Sequence, residues 1–540
     1  MINGIFTMSD ICFVAVNEIN MHYDCEMLGI EILYNSLHIS NLDADILHYE
    51  IDKMEIDFCK GLAYKIINEN PRIVCFSPYF SNVNFYHTIA VELKKIDDSI
   101  RIFVGGGLCT YASERILEKY QAFDIVMIGE GEEAIVVVCK KTLEGCQVDD
   151  IAGIAYRKDD EIIRTQMRQS IIMNSSPSFE RIMLERNKDV DVARINSARG
   201  CLASCTFCVE SRTFKNNCGD CWRGKSPEKI VEEIKYIKNR YGIRNFSFTD
   251  NSFEDCIPEG KERIRRICNL IIEEKLDIFF YALVRGENFC SEKDIADIRL
   301  MRKAGMYAVL VGCETGYEPT LRLYGKRCSV DQARQAIENF HNEGIVVPIG
   351  FITFNPYSTP AEFKANLDFL VDVDKAHYWV GYENRLQLYY GAPLLKKVER
   401  DGLLTKDFDV DQPYGYEFVD ESIRWLVDFL FDFKYDMAAL HNLNWEIMNF
   451  ENLYSKITIN VMNDALILLR KEYDIWKRGL GKMYYDYHIN LLKIAIYSRE
   501  WNDAQKLRND ILSPVSVIKN KAKLMQFMKK LNMLLKDING

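Results

Sequence analysis

The feature that most constrains this chain is an alternation of short β-branched runs with amphipathic ones. It begins at residue 10 with "ICFVAV", "ADILHYEI", "RIVCFSPY", "IRIFVGGG" and "DIVMIGEGE", separated by "LGIEILYNSLHIS", "GLAYKIINE", "YHTIAVELKKI" and "ASERILEKY". A pattern that switches between strand and helix periods predicts a parallel sheet covered by helices on its faces. Such sheets bind ligands beyond the carboxyl ends of their strands. Ser77, Gly105, Gly106 and Gly107 follow those strands, where a ligand brought close to the backbone needs small residues or no Cβ at all.

A polar connector, "NSSPSFERI", leads into a second alternating series at "VARINSARGC". Its strand candidates are "VARINS", "NFSFTD", "IFFYALV", "AVLVGCE", "VPIGFIT" and "YWVGYENRLQLYY". Helix patterns such as "SPEKIVEEIKYIKNRY" and "SVDQARQAIENFHNEG" lie between them. Six βα units predict a barrel or partial barrel. From about residue 400 the pattern turns helical and aromatic, with no periodic strand. A chain of 540 residues exceeds what one core organises. The expected division is an α/β doubly wound domain over 1–170, a linker over 171–190, a (βα)6 partial barrel over 191–395 and a helical region over 396–540.

The formal charge of -11 argues against a partner bound by broad phosphate neutralisation, so nucleic acid is not expected. No apolar run approaches the ~20 residues that span a bilayer, and the N-terminus lacks an export pattern, so a cytoplasmic protein is expected. In that setting the 17 cysteines read as reduced thiols rather than a disulfide framework. Cys12, Cys75, Cys139, Cys268 and Cys313 sit in apolar runs and read as small buried hydrophobes.

Three other cysteines stand apart. "RGCLASCTFC" places Cys201, Cys205 and Cys208 on one short stretch after the first strand of the second series, where a barrel's carboxyl-end face presents active-site loops. Three thiolates there can hold a metal centre. Structural zinc is one reading, with the "CGDC" of Cys218 and Cys221 offering further ligands or an auxiliary site, although structural zinc usually shows paired CxxC spacing.

The C-x3-C-aromatic-C run resembles the loop of the radical S-adenosylmethionine superfamily. That resemblance implies a [4Fe–4S] cluster held by Cys201, Cys205 and Cys208, with one iron left for the amino and carboxylate groups of S-adenosylmethionine. It extends over residues 191 to 395. Phe207 is the motif aromatic, and "RGKSPEKIVEEI" looks like the helix after the cluster, with Ser226 as N-cap and Pro227 in its first turn. By the same resemblance Asp250 and Asn251 accept from the methionine ammonium group, Arg285 pairs with its carboxylate, and Glu314, in "VGCETG", bonds the ribose or amino group.

The first domain resembles the cobalamin-binding domain that precedes the radical barrel in one large subgroup. "CFSPYF", "FVGGGLCTYASERIL" and "MIGEGEEA" match its order and spacing, which assigns Ser77, Gly105, Gly106, Gly107, Gly129, Glu130 and Gly131 to cobalamin. The cobalt-ligating D-x-H-x2-G of other cobalamin proteins reads "DCEMLG" here. Asp24, Glu26 and Gly29 fall at those spacings, which puts a glutamate in the histidine place and predicts a cobalt without a nitrogen ligand from this loop.

The subgroup implies an enzyme that methylates an unactivated carbon of a peptide or natural product, with a flavodoxin or ferredoxin as electron donor. Cyclisation, ring contraction or another rearrangement with the same cofactors is the alternative, and a non-catalytic cobalamin or redox sensor is the alternative of another class. The C-terminal helices are expected to close the barrel's lower side or to shape the substrate pocket.

Overall fold

The computed structural model describes residues 9–18, 26–210, 222–255, 258–432 and 438–539. Its first unit is a seven-stranded sheet of β1 (Ile11–Glu18), β2 (Ala44–Ile51), β3 (Ile73–Phe76), β4 (Arg101–Val104), β5 (Ile125–Met127), β6 (Ile154–Lys158) and β7 (Glu161–Arg164). The order is β2-β1-β3-β4-β5-β6-β7. β1 to β5 run parallel, while β6 and β7 add an antiparallel edge. Alternate residues of β1 feed two separate cores. Ile11, Phe13 and Ala15 pack on one face, Val14 and Val16 on the other, which is why the strand reads as continuously apolar. The chain reverses its winding between β1 and β3, so the carboxyl ends of the central strands open into a crevice.

The second unit holds five parallel strands, β8 (Val192–Ile195), β11 (Asn245–Phe248), β12 (Phe279–Arg285), β13 (Met306–Glu314) and β14 (Ile349–Phe351), in the order β14-β13-β12-β11-β8. The expected sixth strand differs. "YWVGYENRLQLYY" forms a 3-10 turn at Trp379–Tyr382 and a single parallel bridge between Phe354 and Arg385. Its aromatic residues serve packing, with Trp379 and Tyr382 fully buried. Between β8 and β11 lies a short antiparallel pair, β9 (Ala198–Gly200) and β10 (Trp222–Gly224). The helix Pro227–Tyr241 begins as its sequence implies, with Ser226 Oγ accepting from Lys229 N–H at 3.4 Å and Gly242 closing it at φ +75°.

The C-terminal helices share one hydrophobic core with the barrel. Helix Ala438–Asn460 lies under the amino-terminal ends of the strands. Ser455 Oγ donates to Tyr307 O at 2.7 Å and accepts from Arg302 at 2.8 Å, and Lys456 donates to Asn245 at 2.8 Å.

The segment read as a linker, 171–190, is wedged between the two units. Arg181 is fully buried, with Glu26 of the first unit at 3.0 Å and Glu233 of the second at 2.9 Å. Glu31 accepts from the backbone of Ile182 and Met183. On another side, Arg115 grips Asp409 through two bonds of 2.8 and 2.9 Å, and Lys119 pairs with Asp411 at 2.5 Å. Among the described residues no helix is long and apolar enough to cross a membrane.

Candidate two-cofactor site

At the carboxyl ends of β3, β4 and β5 a cleft of about 300 Å³ is lined by Ser77, Gly105, Gly106, Gly107, Gly129, Glu130 and Gly131. The fold brings these seven residues together in one cleft. Gly106 has φ +94° and ψ -171°, a region open essentially to glycine alone. A Cβ there would stand 2.9 Å from Ser77 Oγ. At Gly105 a Cβ would meet Met127 at 3.3 Å, and at Gly131 it would meet Leu33 at 3.0 Å. The floor is thus bare backbone where a large planar ligand would rest, which fits a corrinoid.

Glu130 lines this cleft, yet its carboxylate turns toward the second unit. It pairs with Arg199 at 3.3 Å, with Arg223 more closely still, and accepts from Ile171 N–H at 2.8 Å. Burial works against the charge, but the two arginines outweigh it and hold Glu130 below the usual carboxylate range.

Glu26 does not reach the cleft. It is fully buried against Arg181, and its other oxygen accepts from Arg194 N–H at 2.6 Å. The alignment that gave Glu26 the histidine place is therefore corrected, because Glu26, two residues before the helix Leu28–Ile39, turns toward Arg181 and the second unit. Gly29 does line the cleft, and Asp24 lies outside the described residues.

The cysteine loop leaves β9 at the carboxyl end of the second sheet and is pinned from three directions. Leu202 N–H donates to Asp255 at 2.8 Å, Thr206 N–H to Tyr324 O at 2.8 Å, and Leu394 N–H to Thr206 O at 2.8 Å. Cys201 Sγ accepts from Ala203 N–H at 3.4 Å, a bond that favours thiolate. Burial nevertheless pushes the Cys201 thiol up to about 12 and raises Cys205, so a metal centre binding here would displace protons. Among the described residues no three His, Cys, Asp or Glu side chains are grouped to hold a single metal ion. The donor set on this loop is purely thiol, the soft chemistry that iron–sulfur clusters use. Phe207 packs edge-on against Tyr324 at 5.1 Å, anchoring the loop between the second and third cysteines. Cys218 and Cys221 lie outside the described residues.

Around the loop, the strand ends differ in part from expectation. Asp250 is buried, and both its oxygens are consumed by Ser197 N–H, Ser197 Oγ and Ala198 N–H. It latches the turn before the cysteines and is not free for a ligand, which corrects its assignment to the ammonium group. Asn251 is exposed and donates to Glu210 at 3.2 Å. Arg285 stands beside the loop but is already braced by Asp255 at 2.9 Å, Glu287 at 3.6 Å and Glu254 at 3.9 Å. Among the described residues its Nε and the buried Glu254 Oε2 have no hydrogen-bond partner. Glu314 has φ +67°, uncommon for a residue with a side chain, and pairs with Lys326 at 3.0 Å above Gly312 and Gly350. Among the described residues carboxylates outnumber cations in this mouth, a balance that suits the net positive charge of S-adenosylmethionine.

The sequence reading missed Lys326, Glu254, Asp255, Arg223 and Glu210. Asp255 and Glu254 sit in "FTDNSFED" just past the residues it chose, and Glu210 lies two positions after Cys208. Glu210 and Arg199 line the same cleft as the glycine loops.

A doubly wound domain and a partial barrel whose ligand-binding ends meet over one cleft define a two-cofactor α/β enzyme. Residues 195–370 match the model of the radical SAM superfamily, and residues 15–138 match the B12 binding domain. The chain is a radical SAM enzyme with a B12-binding domain ahead of its barrel, and its cofactors are a [4Fe–4S] cluster, S-adenosylmethionine and cobalamin. An uncharacterized methyltransferase of Pyrococcus horikoshii is 27% identical over 339 residues, covering 61% of this chain and 71% of that protein. Several other curated relatives are matched over about half of their own length. Among solved structures, the cobalamin-dependent radical enzyme OxsB, with aqua-cobalamin bound, superposes with a TM-score of 0.68 at 18% identity, covering 99% of this chain and 81% of that one. TsrM from Kitasatospora setae, a radical S-adenosylmethionine methyltransferase with cobalamin and a [4Fe–4S] cluster, gives 0.58 at 16% identity, covering 76% and 83%.

Proposed function

We propose that this enzyme methylates an unactivated carbon of a peptide or natural-product substrate. Cys201, Cys205 and Cys208 hold the cluster, Phe207 anchors their loop, and Asn251, Arg285 and Glu314 face S-adenosylmethionine. Ser77, Gly105, Gly106, Gly107, Gly129, Glu130 and Gly131 form the cobalamin floor and rim. When bound, these cofactors supply a 5′-deoxyadenosyl radical and a transferable methyl group. The chain binds, orients and excludes water, since the cofactors carry the hard chemistry.

One observation carries the reading. Glu210, just past the third cluster cysteine, shares a cleft wall with the cobalamin glycines, so a substrate there lies between the two cofactors. Aromatic rings shield that space. Tyr111 of the cleft stacks edge-on with Tyr389 at 5.6 Å, and Phe80 meets Tyr389 at 6.4 Å and Tyr414 at 6.2 Å. Gln387 ties Tyr389 to Tyr414, donating to the latter at 2.7 Å. A flavodoxin or ferredoxin in the cytoplasm supplies the electron, and a chemical reductant substitutes for it.

The test is anaerobic incubation of the reconstituted full chain with hydroxocobalamin, reductant, S-adenosylmethionine labelled in its methyl group, and a peptide and metabolite extract. Methyl transfer yields S-adenosylhomocysteine together with 5′-deoxyadenosine and a labelled product. Deoxyadenosine without homocysteine product would replace methylation with a rearrangement, and neither product would leave only a sensor.

A further inference from the structure

Two arginines on the hairpin that carries the cluster loop face each other across its strands. Arg199 on β9 and Arg223 on β10 are direct register partners. Like charges directly opposite one another in an antiparallel pair are destabilising. Here the repulsion is relieved by carboxylates from the other domain. Glu130 bridges both guanidinium groups, and Glu132 takes Arg199 at 2.5 Å. Arg199 also donates from Nε to Asn196 at 2.8 Å, and Arg223 donates to Ile171 O at 2.6 Å. All four charged side chains are at most 15% exposed, so screening by water does little for them.

The placement is what gives this network consequence. Arg199 stands two residues before Cys201, and Glu130 and Glu132 flank Gly131 in the loop that rims the cobalamin cleft. Arg199, Glu130 and Glu132 line that cleft. We infer that the Arg199–Arg223 pair and the Glu130–Glu132 loop form a clamp that couples the two cofactor sites, so that filling the cobalamin cleft orders the cluster loop and a cluster in its loop tightens cobalamin. Arg199 is the positioning residue of this clamp. The inference rests on the two-cofactor reading above, and on linkage, which makes such coupling reciprocal.

The experiment measures loss of cluster iron to bathophenanthroline disulfonate from the reconstituted full chain, with and without saturating hydroxocobalamin. In the wild type, cobalamin slows iron loss about fivefold or more, the lower end of measured site-to-site couplings. Cobalamin's dissociation constant, read from its visible spectrum, falls about fivefold or more when the cluster is present. Arg199→Met brings both ratios below about twofold. A merely structural role would weaken the protein equally with and without cobalamin and leave the ratios unchanged. Glu132→Gln cuts the same tie from the other domain with little change of shape. It reproduces the loss of coupling, and combined with Arg199→Met it adds nothing further. Protection below twofold in the wild type, or full protection in both variants, overturns the clamp while leaving the cofactor reading intact. A wild-type chain that takes up no iron or no cobalamin overturns both.

Discussion

Gly106→Ala should weaken cobalamin binding far more than it weakens the fold. The backbone at this residue sits at φ +94° and ψ -171°, where a side chain costs about 1–3 kcal/mol. The new Cβ would also stand 2.9 Å from Ser77 Oγ, too close unless the loop or Ser77 shifts. Both residues line the cleft, so any relief moves surface on which the ligand rests. If that cost is realised in the bound state, the dissociation constant rises about 5- to 150-fold, since about 1.4 kcal/mol is tenfold. Titration of the apoprotein with hydroxocobalamin, followed by protein fluorescence, reads this directly. Gly145→Ala is the control. Its φ is +72° with nothing within 4 Å of a new Cβ, so it carries the backbone cost away from the cleft and should leave the constant unchanged. Ser77→Gly placed on Gly106→Ala should recover the steric part. The reasoning fails if Gly106→Ala binds cobalamin within twofold of wild type while losing as much thermal stability as the control.

Cys201→Ala, Cys205→Ala and Cys208→Ala should each abolish a centre of about four iron and four sulfide; one equivalent of zinc and a colourless protein would refute the cluster. Glu26→His should leave the electron paramagnetic resonance of bound cob(II)alamin without new nitrogen splitting, because residue 26 faces Arg181. It should also lower unfolding stability by about 3–5 kcal/mol, the cost of breaking a buried ion pair; a new splitting would restore the sequence alignment. His488 is fully buried, donates from Nδ1 to Tyr484 O at 2.7 Å, and stacks on Tyr382 at 4.1 Å. Burial lowers it to about 3. Above pH ~6.5 neither state takes the proton; as pH falls toward 3 only the unfolded chain does, so stability drains away. Between pH 6.5 and 5 this amounts to about 2 kcal/mol. In urea unfolding, the deficit of His488→Gln relative to wild type should shrink by that amount at pH 5, and an unchanged deficit would sink the assignment.

What the sequence determined by itself was local. Strand and helix periods, the small residues after β3 and β4, the cysteine spacing and the Ser226 cap each depend on a few neighbouring residues, and each is legible because its chemistry is short-ranged. The glycine at 106 could be read as a place of close approach before its φ was known. Where the side chains of Asp250, Glu26 and Arg285 point could not be read that way. A carboxylate at a strand end serves a ligand or latches a turn depending on which donors the rest of the chain brings to it, and Ser197 and Ala198 claimed Asp250 first. Glu26 was drawn into a buried pair by an arginine more than 150 positions along the chain. The sixth strand was lost to the packing of Trp379 and Tyr382 against C-terminal helices that no local pattern could foresee. The meeting of Arg199 and Arg223 with Glu130 is likewise a product of docking two domains, because ion pairs of this kind are specified by three-dimensional proximity and leave no periodic trace in the sequence.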